Sequence, residues 1–246
     1  MLTRFSYIRP ATLQEALEQA AQPGAYLHSG GTDLLGCLRE EIFTVHKMVS
    51  ISALEELKGI RELPDGGLKI GALTLISEVA ASALIGARYP ALAQGAREVA
   101  SPQLRNQGTL GGNLCQKPRC WYYRGQFHCL RKGGGTCFAP GGENQFHCIL
   151  GSGDICYIVH PSDTAPALIA LGAEVEIAGA DGQRTLPVEA LHVLPADDVQ
   201  RETWLDPGEI ITAVHLPPPP ANLRSTYRKV RARRAWDFAL AGAALA

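Results

Sequence analysis

What this chain has little of narrows its functions first. It has almost no net charge, with 23 Lys and Arg set against 24 Asp and Glu. Without a basic excess, nucleic acid finds little electrostatic purchase, and no nucleic-acid partner is expected. The richest basic run, Arg228-Lys229-Val230-Arg231-Ala232-Arg233-Arg234, alternates with apolar residues and reads as a solvated strand. No apolar stretch is long enough to span a bilayer, so no membrane insertion is expected. The opening Met1-Leu2-Thr3-Arg4-Phe5 is not built like a secretory signal, which leads to the expectation of a cytoplasmic chain. Internal repeats are also lacking.

Two motif absences matter as much. No GxGxxG spacing marks a nicotinamide-type Rossmann loop. No CxxC knuckle marks a structural zinc site, whose ligands usually come in close pairs. The seven cysteines are an odd number, which argues against a disulfide framework.

What is present is a chain of 246 residues, 46% hydrophobic, able to bury a core as two small α/β lobes. Thr12-Leu13-Gln14-Glu15 is a capping box, and Leu13, Ala16, Leu17 and Ala20 follow at helical spacing. Ala25 to His28 reads as a strand, Leu34 to Arg39 as a helix and Lys47 to Ile51 as a strand, the pattern of a small parallel α/β unit. Further on, the pattern predicts a strand near 67–72, a helix capped by Thr74 and another begun by Pro90. It then predicts a loop over 101–112 and a helix from Asp163 to Leu171. A hairpin around Asp181-Gly182 and a strand from Glu209 to Leu216 follow.

Two glycine turns carry the first chemical signal. Ser29-Gly30-Gly31-Thr32-Asp33 lies between a strand and a helix, where backbone N–H groups can converge on an anion. Gly108-Thr109-Leu110-Gly111-Gly112-Asn113 is the second. Either alone is an ordinary turn. Together they can grip the two phosphates of a dinucleotide.

The second signal is a crowd of thiols. Cys120, Cys129, Cys137, Cys148 and Cys156 fall in one long segment rich in glycine and aromatics. Thiolates suit iron or zinc. The wide spacing favours a cluster wrapped by one loop, while zinc and free buried thiols stay open. Lys117, Arg119, Arg124, Arg131 and Lys132 surround these thiols and can offset a cluster's negative charge, or can be plain solvated cations. Trp121, Tyr122, Tyr123 and Phe127 can shield the cluster, or form the small core of an insertion.

Four stretches now carry a resemblance. Ser29-Gly30-Gly31-Thr32-Asp33-Leu34-Leu35, Ile70-Gly71-Ala72-Leu73-Thr74, Arg105-Asn106-Gln107-Gly108-Thr109-Leu110-Gly111-Gly112-Asn113-Leu114 and Pro161-Ser162-Asp163 resemble the FAD subunit of the xanthine dehydrogenase and carbon monoxide dehydrogenase family. The resemblance runs in order over nearly the whole chain. It implies an α+β fold, the FAD-binding domain of the vanillyl-alcohol oxidase and p-cresol methylhydroxylase type. Its divisions would be an N-terminal lobe over 1–57, a second lobe over 58–220 with an insertion at 115–156, and the start of a C-terminal domain at 221–246. Most of that last domain would lie beyond position 246.

Asn113-Leu114-Cys115-Gln116-Lys117-Pro118-Arg119-Cys120-Trp121-Tyr122-Tyr123 resembles the flavin subunits of 4-hydroxybenzoyl-CoA reductase and of periplasmic aldehyde oxidoreductases, which carry a [4Fe–4S] cluster in this loop. Cys156 to Leu168 is closer to the aldehyde oxidoreductases. The implied ligands are Cys120, Cys129, Cys137 and Cys156, with Cys148 a non-ligand, Cys115 nearer FAD and Cys37 in the core. For FAD, the resemblance implies the backbone of Ser29, Gly30, Gly31, Thr32 and Asp33 at the pyrophosphate, flanked by Leu27, His28 and Leu34. It places Thr109, Gly112 and Asn113 at the diphosphate and ribitol, and Ser101, Gln103 and Arg105 close to the flavin. Asp163 would hold an adenosine or ribose hydroxyl.

The implied partners are a large subunit with molybdopterin, a small subunit with two [2Fe–2S] clusters, and an external electron acceptor. A signal-bearing partner would carry the folded chain to the periplasm. Two further readings stay open: a 4-hydroxybenzoyl-CoA-reductase-like enzyme, and a zinc-stabilised module without redox function. A self-contained oxidase would need a catalytic base, and none is assigned.

Overall fold

The computed structural model describes residue 2 and residues 4–151 and 153–246. The N-terminal part is a three-stranded parallel sheet of β1 (Ser6–Ile8), β2 (Ala25–His28) and β3 (Lys47–Ser50), in the order β1-β3-β2. Helix α1 (Leu13–Ala20) joins β1 to β2, and α2 (Leu34–Arg39) joins β2 to β3. Thr12 Oγ1 accepts from the Glu15 amide at 3.2 Å, and a cap of this kind stabilises a helix by about 1 kcal/mol. The capping box differs in one arm: Glu15 reaches back to the amide of Ala11, one residue before the cap. The three-residue β1 has no periodicity long enough to read, and only its pairing with β3 defines it.

The larger part is built on a five-stranded antiparallel sheet. Its strands are β4 (Ile60–Glu62), β5 (Leu68–Gly71), β6 (Glu174–Gly179), β7 (Gly182–Pro187) and β8 (Ile210–Leu216), ordered β4-β5-β8-β6-β7. One face carries α3 (Ile76–Ala81), α4 (Ala83–Arg88), α5 (Pro90–Glu98) and α9 (Thr164–Ala170). Between α5 and α9 come the short helices α6 (Pro102–Arg105), α7 (Leu110–Leu114) and α8 (Trp121–Arg124). Helix α10 (Val188–Leu191) closes the β6–β7 edge.

Leu68, Ile70, Val175 and Val214 from the sheet pack with Val79, Leu92 and Leu168 from the helices in one core. Ile210 turns the other way, into a second cluster with Ala16, Ile51, Leu57 and Leu73 that fastens the two sheets together. The central strand β8 is therefore buried on both faces, which explains its unbroken apolar run.

Several expectations need correction. Thr74 does not cap a helix: fully buried, its hydroxyl needs an inner acceptor and donates to the Gly59 carbonyl at 3.1 Å, while α3 starts at Ile76. The expected loop at 101–112 contains two helices, capped by Ser101 and Thr109 side chains. The β6–β7 turn is one residue earlier than read, because Gly179 pairs with Gly182 and leaves Ala180-Asp181 at the tip. The basic run is not wholly solvated. It forms β9 (Thr226–Val230), which pairs with β10 (Ala241–Leu245) and places Tyr227 in the main core. Among the described residues no helix is long and apolar enough to cross a membrane.

Candidate functional site

β2 ends at His28, and the chain turns through Ser29 to Asp33 into α2. The second turn, Gln107-Gly108-Thr109, leads into α7. The two turns touch through backbone. A Cβ on Gly30 would stand 1.9 Å from the Gln107 carbonyl oxygen, so no side chain fits there. Gly31 adopts φ +71°, a left-handed conformation that favours glycine, with the His28 ring packed against it. Ser29 Oγ and Thr109 Oγ1 share a hydrogen bond of 3.1 Å, and Thr109 Oγ1 also accepts from the Gly112 amide at 3.2 Å.

A cavity of about 410 Å³ opens against both turns. That volume lies within the usual range of small-molecule and cofactor sites. Leu27, Ser29, Gly30, Gly31, Thr32, Asp33, Leu34, Thr109, Gly112, Asn113 and Asp163 all line it. His28 stands behind the turn, with Nδ1 3.4 Å from Ser50 Oγ. Burial lowers the pKa of His28, so the ring favours its neutral form.

Ser101, Gln103 and Arg105 do not line this cavity. The segment coils into α6, and Ser101 spends its hydroxyl capping that helix. Gln103 is exposed. Arg105 donates to the Val99 carbonyl at 2.7 Å and faces a separate shallow cleft with Arg97 and Asn106.

The polar side chains at the cavity are already held from behind. Asn113 Oδ1 accepts from Ser162 Oγ at 2.6 Å and Thr164 Oγ1 at 2.7 Å, which leaves its NH2 as the group for a ligand. Asp163 accepts from Tyr227 Oη and from Lys229 Nζ, both at 2.7 Å. Burial raises the Asp163 pKa, against the opposing pull of Lys229 and Tyr227. Asp33 Oδ2 accepts from the Lys117 amide at 2.8 Å, while Oδ1 takes Arg124 at 2.7 Å and Arg119 at 2.9 Å.

The sequence reading missed part of the lining. Trp236, Asp237 and Phe238 return to the cavity from the β9–β10 connection, where the Trp236 amide donates to the Ala100 carbonyl at 3.0 Å. The Arg119 guanidinium lies 5.1 Å from the centroid of the Phe238 ring. Lys117 and Arg119 also line it, although their charge was read only for the thiols.

The cysteine segment folds around a small aromatic core. Tyr122 meets Phe127 edge-on at 5.0 Å and Phe138 at 6.0 Å, and Trp121 meets Phe146 at 5.7 Å. Burial is the largest cause raising the thiol pKa of Cys120, and the neighbouring Cys129 and Cys137 raise it further. Cys156 is pushed up to about 11 by burial, with Cys137 and Cys120 adding to the rise and Arg131 opposing it. Cys148 is also raised by burial, and Cys137 adds to it. Among the described residues, no three His, Cys, Asp or Glu side chains converge tightly enough to hold one metal ion. Cys115 lies at the cavity, where burial pushes it up to about 12. Cys37 is fully buried in α2.

Fold and site together define a mixed α/β cofactor-binding domain. Residues 3–219 match the family described as the FAD binding domain in molybdopterin dehydrogenase, and the chain belongs to that family. It is 37% identical over 244 residues to the aldehyde oxidoreductase FAD-binding subunit PaoB of Escherichia coli K12, covering 98% of this chain and 76% of that protein. It is 30% identical over 241 residues to the xanthine dehydrogenase FAD-binding subunit of Escherichia coli O157:H7, covering 97% of this chain and 67% of that one. A solved structure of carbon monoxide dehydrogenase from Hydrogenophaga pseudoflava superposes with a TM-score of 0.73 at 25% identity. That match covers 98% of this chain and 68% of the other.

Proposed function

We propose that this chain is the FAD-holding, electron-transferring subunit of a molybdenum hydroxylase of the aldehyde oxidoreductase type. The observation that carries this reading is the backbone contact of Gly30 with Gln107, which sets two glycine turns side by side along one cavity. Such a cradle suits a diphosphate, because backbone amides approach it closely and no side chain intervenes. Lys117 and Arg119 line the same cavity and supply positive charge.

In this reading Ser29 to Asp33, with Leu27, His28 and Leu34 around them, hold the pyrophosphate. Thr109, Gly112 and the Asn113 amide hold the adjoining sugar alcohol, and Asp163 a hydroxyl, through lone pairs that Tyr227 and Lys229 leave free. FAD, when bound, accepts an electron pair and releases it to an acceptor. The chain's residues orient it and exclude water from one face. The partners are a molybdopterin-holding large subunit and a [2Fe–2S] small subunit that delivers electrons, with an external acceptor receiving them. The lobe division at 1–57, 58–220 and 221–246, and the vanillyl-alcohol-oxidase type of the fold, belong to the same proposal.

We also assign a [4Fe–4S] cluster to Cys120, Cys129, Cys137 and Cys156. Its support is the crowding of these thiols in one segment that resembles the cluster-bearing loop of aldehyde oxidoreductase flavin subunits. A tetrahedral zinc draws four sulfurs to about 2.3 Å from one ion. In a cubane each thiolate has its own iron, so the four sulfurs stand further apart than around one zinc.

The test is anaerobic purification with an absorbance spectrum and assays for flavin, iron, sulfide and zinc. Flavin bands with iron and sulfide near about four each per chain are expected. Zinc without flavin would sink the redox reading. Iron without flavin would leave the cluster and remove the FAD assignment.

A further inference from the structure

The cleft that Arg105 faces has a volume of about 340 Å³ and lies outside the cofactor cavity. It is lined by Ser77 from α3, Arg97 from the last turn of α5, Arg105 from α6 and Asn106 just after it, with apolar surface from Ala80 and Pro102. Each arginine hangs on one backbone carbonyl. Arg97 donates from Nε to Ala80 at 3.1 Å, and Arg105 from Nη1 to Val99 at 2.7 Å. Among the described residues, neither guanidinium pairs with a carboxylate, and their other N–H groups have no protein acceptor. The Ser77 hydroxyl and the Asn106 side-chain amide likewise have no protein partner among the described residues. The neighbouring acids are engaged elsewhere: Glu98 with Arg231 at 2.5 Å, and Glu78 with the Leu75 amide at 2.8 Å.

Two cations without a counter-ion, beside an amide and a hydroxyl, favour an oxyanion. A guanidinium presents paired N–H groups that match a carboxylate or a phosphate. A carboxylate has only two oxygens, and one arginine can occupy both. The donors on this cleft exceed that capacity. A phosphate monoester offers three free oxygens and about two negative charges, enough to take both arginines at once. The surface of Ala80 and Pro102 leaves room for a small organic body beside it.

From this arrangement we propose that the cleft is a second binding site, in which Arg97, Arg105, Asn106 and Ser77 hold a phosphate group. The site does not depend on what fills the cofactor cavity. Its position still ties it to that cavity, because the segment from Val99 to Asn106 forms a wall of both. Val99, Ala100 and Leu104 line the cavity, while Pro102, Arg105 and Asn106 line the cleft. The carbonyl that anchors Arg105 belongs to Val99 itself. A phosphate held by Arg105 therefore sits one hydrogen bond away from a residue of the cavity wall.

The test is isothermal titration calorimetry of the purified protein with phenyl phosphate, benzoate and inorganic phosphate. Phenyl phosphate and benzoate share a ring and differ in the anion. Phenyl phosphate is expected to bind about ten-fold or more tightly than benzoate. Inorganic phosphate binding as tightly as phenyl phosphate supports the site with free phosphate as its ligand, and weaker binding supports it with an organic phosphate. Arg97→Gln and Arg105→Gln should each weaken phenyl phosphate by about ten-fold. Asn106→Ala, at an exposed position, should weaken it several-fold. Arg39→Gln, which removes an equal charge from exposed surface on α2, should leave it unchanged. If an arginine variant fails to fold, Asn106→Ala and Ser77→Ala carry the test. Absence of phenyl phosphate binding up to about 10 mM overturns the proposal. So does benzoate binding as tightly, or an affinity that all the cleft variants leave unchanged. A loss in Arg39→Gln as large as in the cleft variants shows attraction by net charge alone and also overturns it.

Discussion

Asp33 Oδ1 accepts from Arg124 Nη2 at 2.7 Å, across 91 residues of chain, and so ties the first glycine turn to the foot of the cysteine segment. Arg119 and the Lys117 amide join the same carboxylate. The cradle and the thiol segment therefore share one anchor. Asp33→Asn is expected to cost about 2–4 kcal/mol in denaturant unfolding, because Arg124 is 10% exposed and, among the described residues, keeps Glu40 alone as an ionic partner. Limited proteolysis checks the locality: cleavage should appear first at 117–124. Unchanged stability with no new cleavage would show that the anchor is idle.

Gly30→Ala tests the contact between the turns. The added methyl would overlap the Gln107 carbonyl, so the turns must separate. The expected cost is about 1–3 kcal/mol of stability, with a larger proportional loss of bound flavin. Flavin content at matched protein concentration, measured beside thermal unfolding, distinguishes the two effects. Normal flavin content would move the diphosphate elsewhere.

The cysteine assignment separates two thiols eight residues apart in sequence. Cys156→Ser is expected to lower iron content sharply, and Cys148→Ser to leave it near the wild-type level. Iron and sulfide analysis of anaerobic preparations reads this directly. The reverse pattern would exchange the two residues' roles.

His160 and His192 both donate from Nε2 to the Leu114 carbonyl at 3.1 Å, at the end of α7. Burial brings the pKa of His160 down to about 3, with the charges of His192 and Arg131 lowering it further against the hydrogen bond to Leu114. Folded His160 therefore stays neutral where the unfolded chain takes up a proton. Its contribution is complete above pH 6.5 and is lost as pH falls toward 3. The loss is at most about 1.4 kcal/mol per pH unit for this group. Melting temperatures between pH 7 and 5 should fall less steeply in His160→Gln than in the wild type. Parallel curves would show that another group controls the acid limb.

The parts of this molecule that sequence revealed are those where a local signal sufficed. The boundaries of β2 and α2, and with them the Ser29 to Asp33 turn, follow from a strand, two glycines and a helix in succession. Helices of four and five residues, such as α6 and α7, have no periodicity to read and are defined by their Ser101 and Thr109 caps. Arg105 illustrates the result: expected near the flavin from the resemblance, it sits on one turn of helix and lines a second cleft, not the cavity at the glycine turns. Long-range ion pairs left no trace at all. Nothing in Asp33 or Glu202 alone announces that Arg124 and Arg131 will come to them.

The Lys229 ammonium, with its side chain 1% exposed, neutralises an Asp163 carboxylate that is scarcely more accessible. The family match stops at residue 219, yet the counter-ion of Asp163 and the hydroxyl that supports it arrive on β9. A fragment cut at the homology boundary would thus seal an orphan anion in its interior. The unit that folds must be drawn by charge neutrality, and it reaches at least to Lys229.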